Sequence, residues 1–206
     1  MIKFPVLSAT SSVLAMTIVV MVGGAVYRSQ QVEIEAKSLA QIAQQQEIAR
    51  VSDFMQLRNS RLAPEIAGVI ATNLVKISEE KHLPVALVLG IVEKETLYNP
   101  FEISKAGARG LMQILKGDEV EIDPDKAHGI VYNLNAGTEI LREKIEQCNG
   151  DLNEALQAYS GGAKGYKEAV LANMGRFMLY EHREVRSDKA QGEGAAAKVL
   201  AELKQP

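Results

Sequence analysis

The stretch LPVALVLGIVEKETLYNPFEISKAGARGLMQI, Leu83 to Ile114, decides the fold. Pro84 stands where a helix can begin, since the first helical position has no use for an N–H donor. The run Val85, Ala86, Leu87, Val88, Leu89, Ile91 and Val92 then reads as a helix buried on most sides. At 3.6 residues per turn Glu95 falls on the stripe of Val88, Ile91 and Val92, so a carboxyl ends an apolar face just before Asn99-Pro100 breaks the chain. A carboxyl placed there is expected to have its pKa raised by desolvation. Glu93 is its rival, on the flank of Ala86 and Leu89, and periodicity alone does not choose between them. For both, a solvated residue at a helix end is the ordinary alternative.

After the break, Ser104-Lys105-Ala106-Gly107-Ala108-Arg109-Gly110 is a loop of small residues that lets backbone approach a partner closely, and Leu111-Met112-Gln113-Ile114 resumes the apolar pattern. Glu95-Thr96-Leu97-Tyr98-Asn99-Pro100, with Ser104, Ala106-Gly107-Ala108 and Gly110-Leu111-Met112-Gln113, resembles the signature of soluble-lytic-transglycosylase-like (SLT) domains, relatives of goose-type lysozyme. Two further blocks follow in the family's order: Asn133-Leu134-Asn135-Ala136-Gly137 through Ile140-Leu141, and Ala158-Tyr159-Ser160-Gly161-Gly162. The resemblance covers roughly residues 77 to 180, and three ordered blocks make it specific. It implies an all-α, lysozyme-like domain in which Glu95, and not Glu93, takes the catalytic place.

Working outward toward the amino terminus, Pro64 opens a helix carrying Ile66, Val69, Ile70, Leu74, Val75 and Ile77. Residues 29–62 form a Gln-rich helical stalk whose apolar spacing slips between Ala43 and Ile48, so it is only weakly a coiled coil. A spacer is the plainer reading than a dimerising segment, because Ala-rich positions bury little area. Phe4 to Tyr27 carries no charge and spans about 36 Å as a helix, enough to cross a bilayer. It reads as an uncleaved anchor or as a secretory signal cut after Ala25; the length of the run and the single basic residue before it, Lys3, favour the anchor. Either reading exports the rest of the chain. The expected domains are thus a membrane segment over 1–28, the stalk over 29–62, the lysozyme-like domain over 63–190 and a tail over 191–206.

Toward the carboxyl terminus, Leu115 to Asp125 is a loop dense in acids, read as solvated, with the rival that one carboxylate reaches back to Glu95. A helix over about 129–147 follows, and Asp151 with Glu154 forms a capping box that starts Leu152–Tyr159. Helix resumes from Tyr166 to about Lys189, Gly192-Glu193-Gly194 is expected to break it, and Ala195 to Lys204 forms a last short helix. No segment alternates convincingly enough for a strand. A net charge of −3 with no basic stripe argues against nucleic acid. Cys148 is the only cysteine, and His82, His128 and His182 do not stand at ligand spacing, so neither an intramolecular disulfide nor a metal or other cofactor is expected.

The resemblance also supplies a chemistry. Breaking a glycosidic bond needs an acid still protonated near neutral pH. In lytic transglycosylases one Glu protonates the leaving oxygen, the substrate's N-acetyl group stabilises the cation, and the ionised Glu takes a proton from the muramic acid C6 hydroxyl. The product is a 1,6-anhydro sugar and no water is consumed. Carried over residue by residue, Glu95 matches the acid/base, Ser104, Met112 and Gln113 match residues lining the sugar groove, and Tyr159 matches the tyrosine facing the Glu. Core packing for Met112 and Tyr159, and local backbone bonding for Ser104 and Gln113, are the alternatives. Thr96 stands for the usual Ser, Leu115-Lys116 for Met-Pro and Ser160-Gly161-Gly162-Ala163 for Asn-Ala-Gly-Pro.

The expected partner is the peptidoglycan glycan strand, cut at the MurNAc-GlcNAc β-1,4 bond on the exported face of a membrane. A hydrolytic muramidase using an acid from Asp118 to Asp125 is the second expectation. A non-catalytic wall-binding subunit of an envelope-spanning assembly is the third.

Overall fold

The computed structural model describes residues 9–115 and 122–202, with side chains described from 30 to 191 within those limits. Among the described residues six helices follow in order: α1 (Ala9–Arg58), α2 (Pro64–Glu80), α3 (Val85–Thr96), α4 (Ile130–Gln147), α5 (Leu152–Tyr159) and α6 (Tyr166–Glu202). Among the described residues there is no strand; isolated bridges tie Ile103 to Arg109 and Arg109 to Ile114 inside the loop after α3. No helix among them is long and apolar enough to cross a membrane. The span expected over Phe4–Tyr27 lies outside the residues whose side chains are described.

The chain divides into two compact units, residues 1–46 and 47–206. In the first, Val32, Ile34, Leu39 and Ile42 are exposed, and Lys37 pairs with Glu33 one turn away. The second unit holds the core. It begins at Glu47, inside the segment read from sequence as stalk, because Val51, Phe54 and Met55 on the last turns of α1 are fully buried. Phe54 packs edge-on against Phe177 of α6, with ring centroids 5.2 Å apart. A stalk boundary at 62/63 is corrected accordingly: the Gln-rich polarity ends before the apolar stripe that closes the domain.

Helix α3 is the axis of this unit, with Leu87 through Glu93 buried without a break. It packs on α6 and on α2, while α4 packs on α2 and α5. Gly90 permits the close approach of α3 to α6, since a Cβ there would lie 3.0 Å from the Val170 carbonyl oxygen of α6. Asp151 caps α5 by accepting from the backbone N–H groups of Asn153 and Glu154. The break expected at Gly192-Glu193-Gly194 does not occur, and α6 continues to Glu202. Two helical glycines cost only about 1 kcal/mol each relative to alanine, which good neighbouring helix formers offset.

Candidate active site

Helix α3 ends with Leu97 in a left-handed conformation, its N–H donating to the Glu93 carbonyl. Two residues apart on this helix, and so on nearly opposite faces of it, the two glutamates meet different surroundings. Glu93 points into the protein, its side chain 3% exposed. Its Oε1 accepts from Arg58 Nε at 2.9 Å and from Arg176 at 3.4 Å, and its Oε2 accepts from the Tyr98 hydroxyl at 2.9 Å. Burial, and then the Glu93 charge, push the Tyr98 phenol well above its ordinary range. This carboxylate therefore fastens α1, α3 and α6 to one another.

Glu95 instead opens on a cleft of about 490 Å³ between the loop after α3, helix α4 and the α5–α6 turn. It is half-buried, and its Oε1 accepts a 2.6 Å hydrogen bond from the Tyr166 hydroxyl. Desolvation raises the Glu95 pKa, while the Tyr166 hydrogen bond and the Lys94 charge pull it partly back. Among the described residues Glu95 is the only carboxyl lining the cleft.

The sequence-derived site residues divide. Ser104, Gln113 and Tyr159 line the same cleft as Glu95. Ser104 Oγ accepts from the Ala108 N–H at 3.0 Å, and Gln113 Nε2 donates to the Gly110 carbonyl at 3.0 Å, so both also brace the loop that walls it. Met112 does not line it. This expectation is corrected: the side chain is fully buried against α4, where a Cβ at Gly137 would sit 2.5 Å from Met112 Cβ. What Met112 contributes is its carbonyl, which accepts from the Tyr159 hydroxyl at 2.9 Å.

The hydroxyl bonded to Glu95 belongs to Tyr166, a residue that the sequence reading did not single out. Tyr166 opens α6 just after the glycine-rich turn, and its ring centroid lies 6.4 Å from that of Tyr159. No local motif marks it; only its position after a turn already assigned to the site hinted at proximity. Lys94 and Lys144, also unassigned from sequence, line the cleft as well.

The loop carrying Ser104 to Gln113 is held from below by Asn133 of α4, which is fully buried. Its side chain accepts from the Met112 N–H at 2.7 Å and donates to the carbonyls of Arg109 and Ala127 at 2.8 and 2.7 Å. Thr96 adds a second fastening from α3, its hydroxyl 3.3 Å from the Leu111 carbonyl. Of the acid loop, residues 116–121 lie outside the described residues, and Asp123 pairs with Lys126 at 2.9 Å.

These features define a helical domain built around one half-buried carboxyl in an open cleft. The family described as the Transglycosylase SLT domain matches residues 72–176, and the chain belongs to it. Among curated relatives, the "Transglycosylase" of Enterobacteria phage PRD1 is 36% identical over 106 residues, covering 47% of this chain and 40% of that protein. The "Membrane-bound lytic murein transglycosylase C" of Haemophilus ducreyi is 28% identical over 138 residues, covering 52% of this chain and 38% of that protein. The chain thus spans less than half the length of these relatives. Among solved structures, the 70 kDa soluble lytic transglycosylase SLT70 of Escherichia coli aligns with a TM-score of 0.42 and 20% identity, over 64% of this chain and 25% of that one.

Proposed function

We propose that this domain is a peptidoglycan lytic transglycosylase that cleaves the MurNAc-GlcNAc β-1,4 bond with Glu95 as its single acid/base. The observation that carries the reading is the Glu95 carboxyl, half-buried in the cleft with a pKa raised by burial. A raised pKa increases the share of the carboxyl that holds a proton for the glycosidic oxygen as the C1–O bond breaks. The Tyr166 hydroxyl then stabilises the carboxylate left behind. That carboxylate accepts the proton of the muramic acid C6 hydroxyl as its oxygen closes on C1, so the glycan is cut without water and ends in a 1,6-anhydro ring. Intramolecular attack replaces the bound nucleophile that most glycosidases need.

Ser104, Gln113 and Tyr159 are the residues assigned to the sugar. The relatives named as transglycosylases support the substrate assignment. The uncharged run over Phe4–Tyr27 supports a tether that keeps the domain on the exported face of a membrane, with the stretch up to Gln46 as spacer.

Mass spectrometry of fragments released from purified sacculi tests the reading. Anhydromuramoyl ends are expected. Reducing ends would assign a hydrolytic muramidase instead, and sacculus binding with no released fragments would assign a non-catalytic wall-binding module.

A further inference from the structure

We propose that a second cavity, lined by Phe101, Arg61 and Glu102 and separate from the Glu95 cleft, is a binding site for the uncharged N-acetylglucosamine units of a β-1,4-linked strand. The inference takes the identity of the sugar from the transglycosylase reading above and goes beyond it in adding a site. The cavity, of about 540 Å³, lies between the turn joining α1 to α2 and the start of the loop after α3. That volume falls within the range of about 300–1,000 Å³ usual for small-molecule sites. It shares no described lining residue with the cleft, yet one loop serves both. Phe101 and Glu102 line the first, Ser104 and Gln113 the second, and Gln113 Nε2 lies 3.3 Å from the Glu102 carbonyl oxygen.

A sugar ring is gripped by two kinds of group: an aromatic face that packs on its C–H side, and planar polar side chains that bridge neighbouring hydroxyls. Phe101 supplies the first, for it lines the cavity and is nevertheless 69% exposed. Arg61 and Glu102, both exposed, supply a fork of donors and a pair of acceptors. Asn99 holds the aromatic residue and the carboxylate together before any ligand arrives: its Oδ1 accepts from the Phe101 N–H at 3.1 Å and its Nδ2 donates to Glu102 Oε2 at 2.8 Å. Asn59 fixes the other wall in the same way, accepting from the Arg61 N–H at 3.1 Å and donating to the Leu97 carbonyl at 2.9 Å. The charges of the lining favour a neutral ligand. Arg61 and Glu102 oppose each other, and the third charged residue, Arg58, is taken up by the buried Glu93 at 2.9 Å. Leu62, Ile66 and Leu97 add an apolar wall suited to the methyl of an N-acetyl group.

The test uses the full-length Glu95→Gln chain in detergent solution, so that bound sugar is not turned over, titrated with a GlcNAc tetramer and followed by amide NMR. Shifts at Ser60, Leu97 and Asn99 are expected as a set separate from those at Ala108 and Gly161 in the cleft, with its own saturation curve. Adding Phe101→Ala is expected to weaken binding reported by the first set about five- to tenfold and to leave the second unchanged, with melting temperature showing that the variant is folded. With Glu95 intact, Phe101→Ala is expected to lower fragment release from insoluble sacculi at limiting protein by at least about threefold, because a second hold on the wall is lost. Turnover of soluble GlcNAc-MurNAc strands by that variant is expected to be unchanged. Absence of shifts around Phe101, or shifts there that Phe101→Ala leaves unaltered, overturns the proposal and leaves the transglycosylase reading standing. Silence at both sites, together with no fragment released from sacculi by the unsubstituted chain, overturns both.

Discussion

The Tyr166 hydroxyl lies 2.6 Å from Glu95 Oε1, joining residues 71 positions apart and donating to the carboxyl that burial works to keep protonated. The two influences oppose each other: burial raises the Glu95 pKa and the phenol hydrogen bond lowers it. Removing the phenol oxygen therefore lifts the Glu95 pKa further. In Tyr166→Phe the alkaline limb of the kcat/KM profile is expected to move to higher pH while kcat falls, because the ionised carboxylate loses its donor. An alkaline limb that stays in place would show that Tyr166 only packs against the site.

Glu95→Gln keeps the shape and removes the proton. Loss of a positioned general acid is expected to lower turnover by about 10²- to 10⁴-fold. Release of soluble muropeptides measures it, with the thermal transition of the variant reporting an unchanged fold.

The same substitution predicts a pH dependence of stability. Glu95 has a folded pKa above its ordinary 4.5, so between 4.5 and that raised value the folded state binds more protons than the unfolded one. Its contribution to stability is therefore full below pH 4.5 and is lost as pH rises through the folded pKa. The difference in stability between the unsubstituted chain and Glu95→Gln is expected to decline over that window and to level off above it. Urea denaturation at a series of pH values gives the curve, and a difference that grows with pH would contradict the sign.

Glu93→Ala removes the carboxylate that two arginines and Tyr98 share, leaving their donors without the acceptor that fastens α1, α3 and α6. Breaking a buried pair from one side costs about 3–5 kcal/mol. The partial exposure of Arg58 and Arg176 places the expected loss near the lower end, about 3 kcal/mol, measured by chemical denaturation. Arg58→Ala is expected to cost less, because Arg176 stays beside the carboxylate.

Asn133→Ala strips three hydrogen bonds from buried backbone groups beneath the cleft wall. Each group left unsatisfied costs about 1–3 kcal/mol, so a loss of about 3 kcal/mol or more is expected. Because the loop it holds carries Gln113, KM for glycan is also expected to rise. Steady-state kinetics below the variant's melting temperature separates the two effects.

Truncation locates the start of the fold. Removing residues 1–46 is expected to leave the melting temperature within a few degrees, whereas removing 1–62 takes away Val51, Phe54, Met55 and Arg58. Large core truncations cost about 2–5 kcal/mol each against a total stability of about 5–15 kcal/mol. The shorter chain is therefore expected to be unfolded by circular dichroism.

The periodicity of Val85 to Val92, Asn99-Pro100 after it and the Asp151 cap are local signals, and from them α3, the loop that follows and α5 were legible in the sequence. The three ordered blocks pointed further, to the family and to Glu95. What local pattern could not supply was the partner of each carboxyl. Glu93 and Glu95 are two residues apart on one helix, and 3.6-residue geometry alone left both as candidates; contacts from Arg58, Arg176 and Tyr98 on one side and Tyr166 on the other separate them. Met112 shows the same limit. Its place in a motif suggested the groove, yet the close approach of Gly137 draws its side chain into the core and leaves only its carbonyl toward Tyr159. Helix position follows from neighbours in sequence, so the sequence alone determined α2 to α5 and the cleft acid's place at the end of α3. Burial, hydrogen-bond partners and hence proton affinity are set by groups distant along the chain, and only the tertiary packing decided those.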